Sequence, residues 1–424
     1  MKAAFYESDI TPPLGCYMTG YGIDRRAEDV FDRLYSKAVV IENEGEYAVI
    51  ISVDICEYPE EMHDLVTKRI FEYTGITKDK VCITSTHTHY GAPVTDNPNI
   101  NCFGDNPYKD VFFRLVADSA ILAYKRLDDT SLYFASELAP SLANPRCFVL
   151  KDGTLKTFVS DTSIIEKPFS TPDDEVSIVF AKQGDKYIGA FYSFGCHQDS
   201  ANQKGYTGDY SSIVAKRLKE KYGPDFVSIY LPGPSGDINH LNPYLEKGKK
   251  QNTYIEIGNA LSDAIIKAEK NLTIIDGDIK VKKESIALKV RKYSHDEFKK
   301  LAGKYMDTMF RLKNLIFYQN TETRDTQPLY VQIINIGDFA LFVYPGELFS
   351  FYSHQTKKNS PFKYNMVAEN SNAYGGYIPT PDAFCKESDL YEISPAYDSY
   401  LEENAGDLLY DKIMDMANKM YENQ

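Results

Sequence analysis

Apolar runs too short for helices recur along the chain, each bounded by turn-forming residues. Ala38-Val39-Val40-Ile41, Ala48 to Val53 and Val81-Cys82-Ile83 lack polar alternation, as do Val176 to Ala181, Ile188 to Phe194 and Phe226 to Leu231. Runs this continuous predict strands buried on both faces. Ala3 to Ser8 alternates weakly, and Ser131 to Ala135 and Ile279 to Leu288 are further strands. Val176–Ala181 with Ile188–Phe194 predicts a hairpin, and Leu329–Ile336 with Phe339–Tyr344 a second one around Gly337-Asp338; Asp152-Gly153 closes a shorter turn.

Helical spacing appears between the strands. Pro59-Glu60-Glu61 opens a helix with Met62, Leu65, Val66 and Ile70 on one face and Gly75 as its stop. Val111–Arg126 and Tyr254–Asn271 predict two more, and His295 to Tyr318 a long amphipathic one. Asp209 caps another that carries Ile213, Val214 and Leu218 and ends at Gly223-Pro224. Mixing hairpins with β-α units argues for an α/β, mixed α+β protein: a mixed-sheet sandwich with helices outside, and not a regular (β/α)₈ barrel. Neither an internal repeat nor a linker is legible, so residues 1–424 read as a single catalytic domain.

The net charge of −14 opposes a grip on phosphate backbones, so nucleic acid is not an expected partner. No run approaches the ~20 apolar residues that span a bilayer, and Met1 to Glu7 shows no export signal. The seven cysteines are scattered, odd in number and never in C-x-x-C spacing, which fits free thiols and a cytoplasmic location. Cys196 reads as buried filler.

The histidines change the picture. Of seven, His87 and His89 crowd into Thr86-His87-Thr88-His89-Tyr90-Gly91 at the end of the Val81 strand. In an extended segment residues i and i+2 share a face, so both imidazoles are expected to leave in one direction, at the strand's carboxyl end. Other metal-competent groups also follow strands: His197 in Gly195-Cys196-His197, Asp237 with His240, and Glu347 in Pro345-Gly346-Glu347. Two imidazoles and a carboxylate suit a borderline ion such as zinc that keeps a position open. Spacing alone does not choose among them. His240 reads equally as a pocket residue or a loop histidine. Asp54 and Asp209 are candidates to orient the imidazoles, Asp209 being as easily a helix cap. His63, His295 and His354 read as structural.

The ordered set of pieces resembles the neutral/alkaline (non-lysosomal) ceramidase family of zinc-dependent amide hydrolases. It comprises Asp9-Ile10-Thr11-Pro12-Pro13 with Gly20-Tyr21, Thr86-His87-Thr88-His89, Gly195-Cys196-His197, Gly208-Asp209, Gly236-Asp237, Pro345-Gly346-Glu347, and Asn372-x-Tyr374-x-x-Tyr377-x-x-Thr380. The resemblance implies Zn²⁺ held by His87, His197, Glu347 and Tyr377, with Tyr374 as support at the substrate side. It implies His89 as acid or base beside the ion, and Arg146 and Tyr391 holding the oxyanion. The family's Gly-Asp-Val-Ser-Pro-Asn reads here Gly236-Asp237-Ile238-Asn239-His240-Leu241, so Asn239 replaces a serine that has been proposed as catalytic. The family's enzymes are secreted or membrane-tethered and carry a further immunoglobulin-like domain, for which these 424 residues are not expected to have room.

The expected activity is zinc-dependent hydrolysis of an amide (N-acyl) bond in a polar or sugar-like small molecule, with Asn239, His240 and Tyr374 facing substrate. Four rivals stay open: a catalytically silent ligand-binding homologue, a metal-dependent lyase or isomerase, an ester or lactone hydrolase, and an amidohydrolase barrel using His87, His89, His197 and His240.

Overall fold

The computed structural model describes residues 1–21, 25–58, 61–94, 107–246, 249–294, 296, 322–394 and 399–423. The helix expected over His295–Tyr318, the helix start at Pro59-Glu60, Gly22 and Cys102 lie outside the described residues.

Three β-β-α-β units, each a hairpin followed by a helix and a strand returning parallel to the hairpin's second strand, organise the described chain. The first is Tyr35–Asn43, Glu46–Val53, the helix Met62–Thr74 and Val81–Ser85, with Val49 of the second strand opposite Val81 of the last. The second is Glu175–Gln183, Lys186–Phe194, the helix Tyr210–Tyr222 and Val227–Pro232, with Gly189 opposite Val227. Thr326–Ile336, Phe339–Val343, the helix Ser350–Asn359 and Tyr364–Ala368 make the third, with Phe339 opposite Tyr364. This repetition is one of topology, invisible in the residue pattern because only the tight turns, Glu44-Gly45, Gly184-Asp185 and Gly337-Asp338, share chemistry.

The alternation inside the apolar runs explains how the sheets share their interior. Val39, Ile41, Ala48 and Ile50 point into a core that also takes Val179, Phe191 and Ile229 from the second sheet and Ile334, Leu341 and Val343 from the third. Ala38, Val40, Val49 and Ile51 point the other way, against Met62, Val66, Ile70 and Val116 of covering helices. Burial on both faces, expected from the solid runs, is observed: Val39, Val40, Ile50 and Ile51 are all fully buried. The third sheet's outer face is covered by Ser350–Asn359 and the terminal helix Ala405–Glu422, through Tyr352, Leu409, Ile413 and Ala417. The architecture is therefore mixed α+β with helices outside, and it is not an eight-stranded parallel barrel.

In each unit, chain leaving the parallel strands runs toward one region. His87 follows Val81–Ser85, His197 follows Lys186–Phe194, and Glu347 follows Phe339–Val343.

Candidate metal centre and active site

His87 is not in a strand. The Val81–Ser85 strand stops two residues earlier, and His87 has φ 64, left-handed backbone that few non-glycine residues adopt. The constraint is visible: Thr86 N donates to Val53 O at 2.9 Å and His87 N to Ile55 O at 3.0 Å. The alternating-face argument for His87 and His89 thus fails on backbone geometry. The rings still meet, Nε2 to Nε2 at 3.4 Å, because His89 N is tied to Gln198 O of the second unit at 3.0 Å.

Each candidate ligand is oriented by backbone. His87 Nδ1 lies 3.1 Å from Cys56 O, and His197 Nδ1 2.9 Å from Ser235 O. A carbonyl only accepts, so both Nδ1 atoms carry the proton and both Nε2 lone pairs face inward. Glu347 is 2% exposed, and its Oε2 stands 3.4 Å from His87 Nε2 and 3.3 Å from His197 Nε2. That Oε2 is buried and has no hydrogen-bond partner among the described residues. Donor atoms around one tetrahedral ion with bonds of ~2.0–2.1 Å stand about 3.3 Å apart, which matches both separations. The residues present fit a divalent cation on an orphaned carboxylate oxygen.

Burial pushes the His87 and His89 imidazoles below their ordinary pKa, His89 furthest, so both are neutral at pH 7. Burial works to raise the Glu347 carboxyl, but the neighbouring His87 and His197 rings and the Arg146 guanidinium outweigh it and hold the group well below the usual carboxylate range. Neutral nitrogens and an ionised oxygen are the protonation states a metal requires.

Two further groups approach this cluster. Arg146, 5% exposed, brings Nη1 to 3.2 Å from His197 Nε2, donates from Nη2 to Gly236 O at 2.6 Å, and pairs Nε with Glu392 Oε1 at 2.7 Å. Glu392 is fully buried and offsets the guanidinium charge; sequence reasoning missed it, although it stands beside Tyr391. A short parallel ladder sets Glu347 directly beside Tyr377, whose ring lies 5.3 Å from Arg146 Cζ and 5.7 Å from the Tyr391 ring. Gly346, at φ +78, permits that ladder, since a Cβ there would stand 2.5 Å from Gly376 O. Tyr374 donates to Glu347 Oε1 at 3.1 Å, the oxygen opposite the orphan, so it braces the carboxylate.

Asp54 and Asp209 do not orient the imidazoles. Asp54 Oδ2 accepts from Tyr35 N at 2.8 Å. Asp209 is the cap of its helix, accepting from Tyr210 N at 2.7 Å, and it also clamps Ser200 N and Ala201 N at 2.8 Å each. Asp237, the other strand-end carboxylate, accepts from Ser350 N at 2.7 Å and Ser350 Oγ at 3.1 Å and is absorbed by the helix start there. His354 meets Thr171 O at 3.1 Å.

A second group of donors, Cys56, His87 and His89, also lies within 4.8 Å. Cys56 Sγ approaches His87 Nδ1 at 3.8 Å, the nitrogen already committed to Cys56 O, which favours the His87–His197–Glu347 set. His89 borders that set without joining it. Its ring packs edge-on against Tyr21 at 4.8 Å, and Gly20 lies so close that a Cβ there would stand 2.2 Å from His89 Cγ. Gly20-Tyr21 is thus the cradle of His89, a link between the first motif and the second that spacing could not reveal.

Asn239 and His240 meet on one carboxylate that sequence reasoning passed over. Asn239 Nδ2 donates to Asp199 Oδ2 and His240 Nδ1 lies against Asp199 Oδ1, both at 2.9 Å. Burial would raise the Asp199 carboxyl, but the His240 hydrogen bond and the neighbouring imidazoles hold it well below its ordinary range.

A family model described as "Neutral/alkaline non-lysosomal ceramidase, N-terminal" matches residues 5–136. Comparison with curated proteins finds no match. Among solved structures, the neutral ceramidase from Pseudomonas aeruginosa superposes with a TM-score of 0.74 at 15% identity, covering 100% of this chain and 74% of that one. A structure titled "Ceramidase complexed with C2" gives 0.75 at 14% identity, covering 100% of this chain and 75% of that one.

Proposed function

We infer a zinc-dependent hydrolase of amide (N-acyl) bonds, from a chain whose residues 5–136 match the neutral/alkaline non-lysosomal ceramidase family model and whose fold is similar to that of neutral ceramidase. The observation that carries the metal is Glu347 Oε2, buried and unpartnered among the described residues, with two inward-facing imidazole nitrogens at 3.3 and 3.4 Å. We assign His87, His197 and Glu347 as its ligands and Tyr377, the ladder neighbour of Glu347, as the fourth. An ion there would lower the pKa of a water to ~7 and polarise a carbonyl.

The protein's own groups supply the rest. His89, kept neutral by burial, takes the proton of the attacking water and returns it to the leaving nitrogen, a contribution usually of ~10²–10⁴-fold. Arg146 and Tyr391, both beside the Tyr377 ring, hold the oxyanion. Glu392 lets a full guanidinium charge stay buried there. Asn239 cannot attack, and its amide is committed to Asp199, so the nucleophile is water.

Asp199, Asn239 and His240 beside His89 favour a polar substrate over a two-chain lipid. Cys82, Cys147, Cys196 and Cys385 are free thiols, the first three of them buried, which supports a reducing, cytoplasmic setting. Among the described residues no helix is long and apolar enough to cross a membrane.

The test is a panel of N-acyl amines, esters and lactones on zinc-loaded protein, followed by product mass. Amine release with uptake of one water, abolished by a chelator and restored by Zn²⁺, is expected. Retained zinc with binding but no turnover would replace this reading by the silent one, and products without added water by a lyase or isomerase.

A further inference from the structure

A second polar cleft, sharing no lining residue with the metal centre, lies where the helix Tyr210–Tyr222 of the second unit faces the strands Lys2–Asp9 and Tyr35–Asn43. It holds about 470 Å³, and its walls include Glu7, Asp32, Tyr35, Lys37, Asp54 and Lys219. Lys37 is the unusual member. It is 8% exposed, yet among the described residues its side chain forms no hydrogen bond and no ion pair. Tyr35, two residues away and so on the same face of the strand, brings its ring within 5.7 Å of Lys37 Nζ. The carboxylate directly across the ladder, Glu7, is already taken by Lys219.

Two acids of the same cleft likewise lack a cation. Asp54, 4% exposed, accepts from Tyr35 N at 2.8 Å, and half-buried Asp32 accepts from Thr207 Oγ1 at 2.6 Å; neither forms an ion pair among the described residues. Burial raises the Asp54 carboxyl against the pull of the Lys37 charge, so the two groups sense each other without touching. Opposite charges removed from water ordinarily close on each other, because each left unpaired is costly. Here one cation and two carboxylates face a common space and stay apart. A lone anion would suit Lys37 but meet Asp32 and Asp54 as like charges, and a lone cation would leave Lys37 unmatched. A molecule carrying both charges complements all three.

We propose that this cleft is a binding site for a small zwitterion, an amino acid, whose carboxylate pairs with Lys37 and whose ammonium pairs with Asp54 and Asp32. The half-buried Tyr35 ring offers an apolar face to the carbon skeleton between the two charges. The site is separate from the metal centre, and its assignment does not depend on the hydrolase reading.

The experiment is titration calorimetry of the full zinc-loaded chain with L-leucine, β-alanine and γ-aminobutyrate, whose two charges stand progressively further apart. Each is matched by the amine and the acid left on losing one charge: isopentylamine and isocaproate, ethylamine and propionate, propylamine and butyrate. At least one zwitterion binds at a single site per chain, and its singly charged partners bind about tenfold more weakly or worse. Lys37→Met and Asp32→Asn each lower that affinity by about tenfold or more. Lys37→Met removes no hydrogen bond or ion pair of the folded chain, so its thermal melt and zinc content stay those of wild type. An amino acid chelated at the metal centre instead would not respond to this variant. No saturable binding of any of the three zwitterions, equal binding of the singly charged partners, or an affinity unmoved in Lys37→Met overturns the proposal. A crystal soaked in the tightest binder, with water alone bridging Lys37 and Asp54, overturns it as well.

Discussion

Glu347 and Glu369 are both buried glutamates delivered by parallel strands of the same sheet, 2% and 1% exposed, yet their surroundings differ in kind. Glu369 is saturated: Oε1 accepts from Ser235 N at 3.2 Å and Ser235 Oγ at 2.7 Å, and Oε2 from Leu348 N at 2.7 Å. Glu347 has Tyr374 on one oxygen and imidazole nitrogens without an aligned hydrogen on the other. Burial pushes the Glu369 carboxyl well up, whereas the histidines hold Glu347 down. Position and residue type cannot separate a structural carboxylate from a cation ligand; the count of donors around each oxygen can.

The comparison breaks most sharply at Glu347. Glu347→Gln, a near-isosteric change that removes the charge, should weaken zinc binding by about 10²-fold or more and abolish turnover, with little loss of folded stability in the absence of metal. Metal content after dialysis and a chelator-referenced activity assay check it. Retention of stoichiometric zinc by this variant would show that the ion sits elsewhere.

Glu369→Gln should do the reverse. An amide NH₂ turned toward Ser235 or Leu348 faces a donor, at a cost of about 1–3 kcal/mol, while zinc stoichiometry is unchanged. Urea unfolding with metal analysis separates the two outcomes; loss of zinc at unchanged stability would erase the distinction drawn between the two glutamates.

Lys283 extends the contrast to a half-buried cation with no carboxylate partner among the described residues, its Nζ 2.5 Å from His63 Nε2. Burial pushes it down from 10.5 to about 7. Below pH 7 both folded and unfolded chains carry the proton and the full burial penalty applies. Between about 7 and 10.5 the unfolded chain binds more protons, so stability rises with pH across that window. Lys283→Met should therefore add about 1–2 kcal/mol at pH 6, with the gain shrinking toward pH 10. Chemical unfolding at both pH values reads it, and a gain independent of pH would mean that packing, not charge, is responsible.

Strands were legible because two-sided burial writes solid apolar runs such as Ala48 to Val53, and helices because Asp209 and Gly75 mark their ends. The threefold recurrence of β-β-α-β was not, since each unit fills its core with different apolar residues. At the site, His87, His197 and Glu347 could be named from motifs. What orients them could not, because Cys56 O and Ser235 O are backbone atoms that any residue carries. The same holds for the loop that docks the third sheet on the first: Asn372, at φ 61, exchanges hydrogen bonds with both N and O of Ile83. Asp199 and Glu392 were overlooked because neither sits in a recognisable spacing, and only the fold brings them to His240 and Arg146.

The central claim is that one ion occupies the space between three side chains drawn from the three units. Anomalous diffraction at the zinc edge from crystals of zinc-loaded protein tests it directly. The account predicts a single strong peak per chain within bonding distance, ~2.0–2.2 Å, of His87 Nε2, His197 Nε2 and Glu347 Oε2. A peak at Cys56 and His89 instead, or none between these three residues in protein that retains zinc, would contradict it.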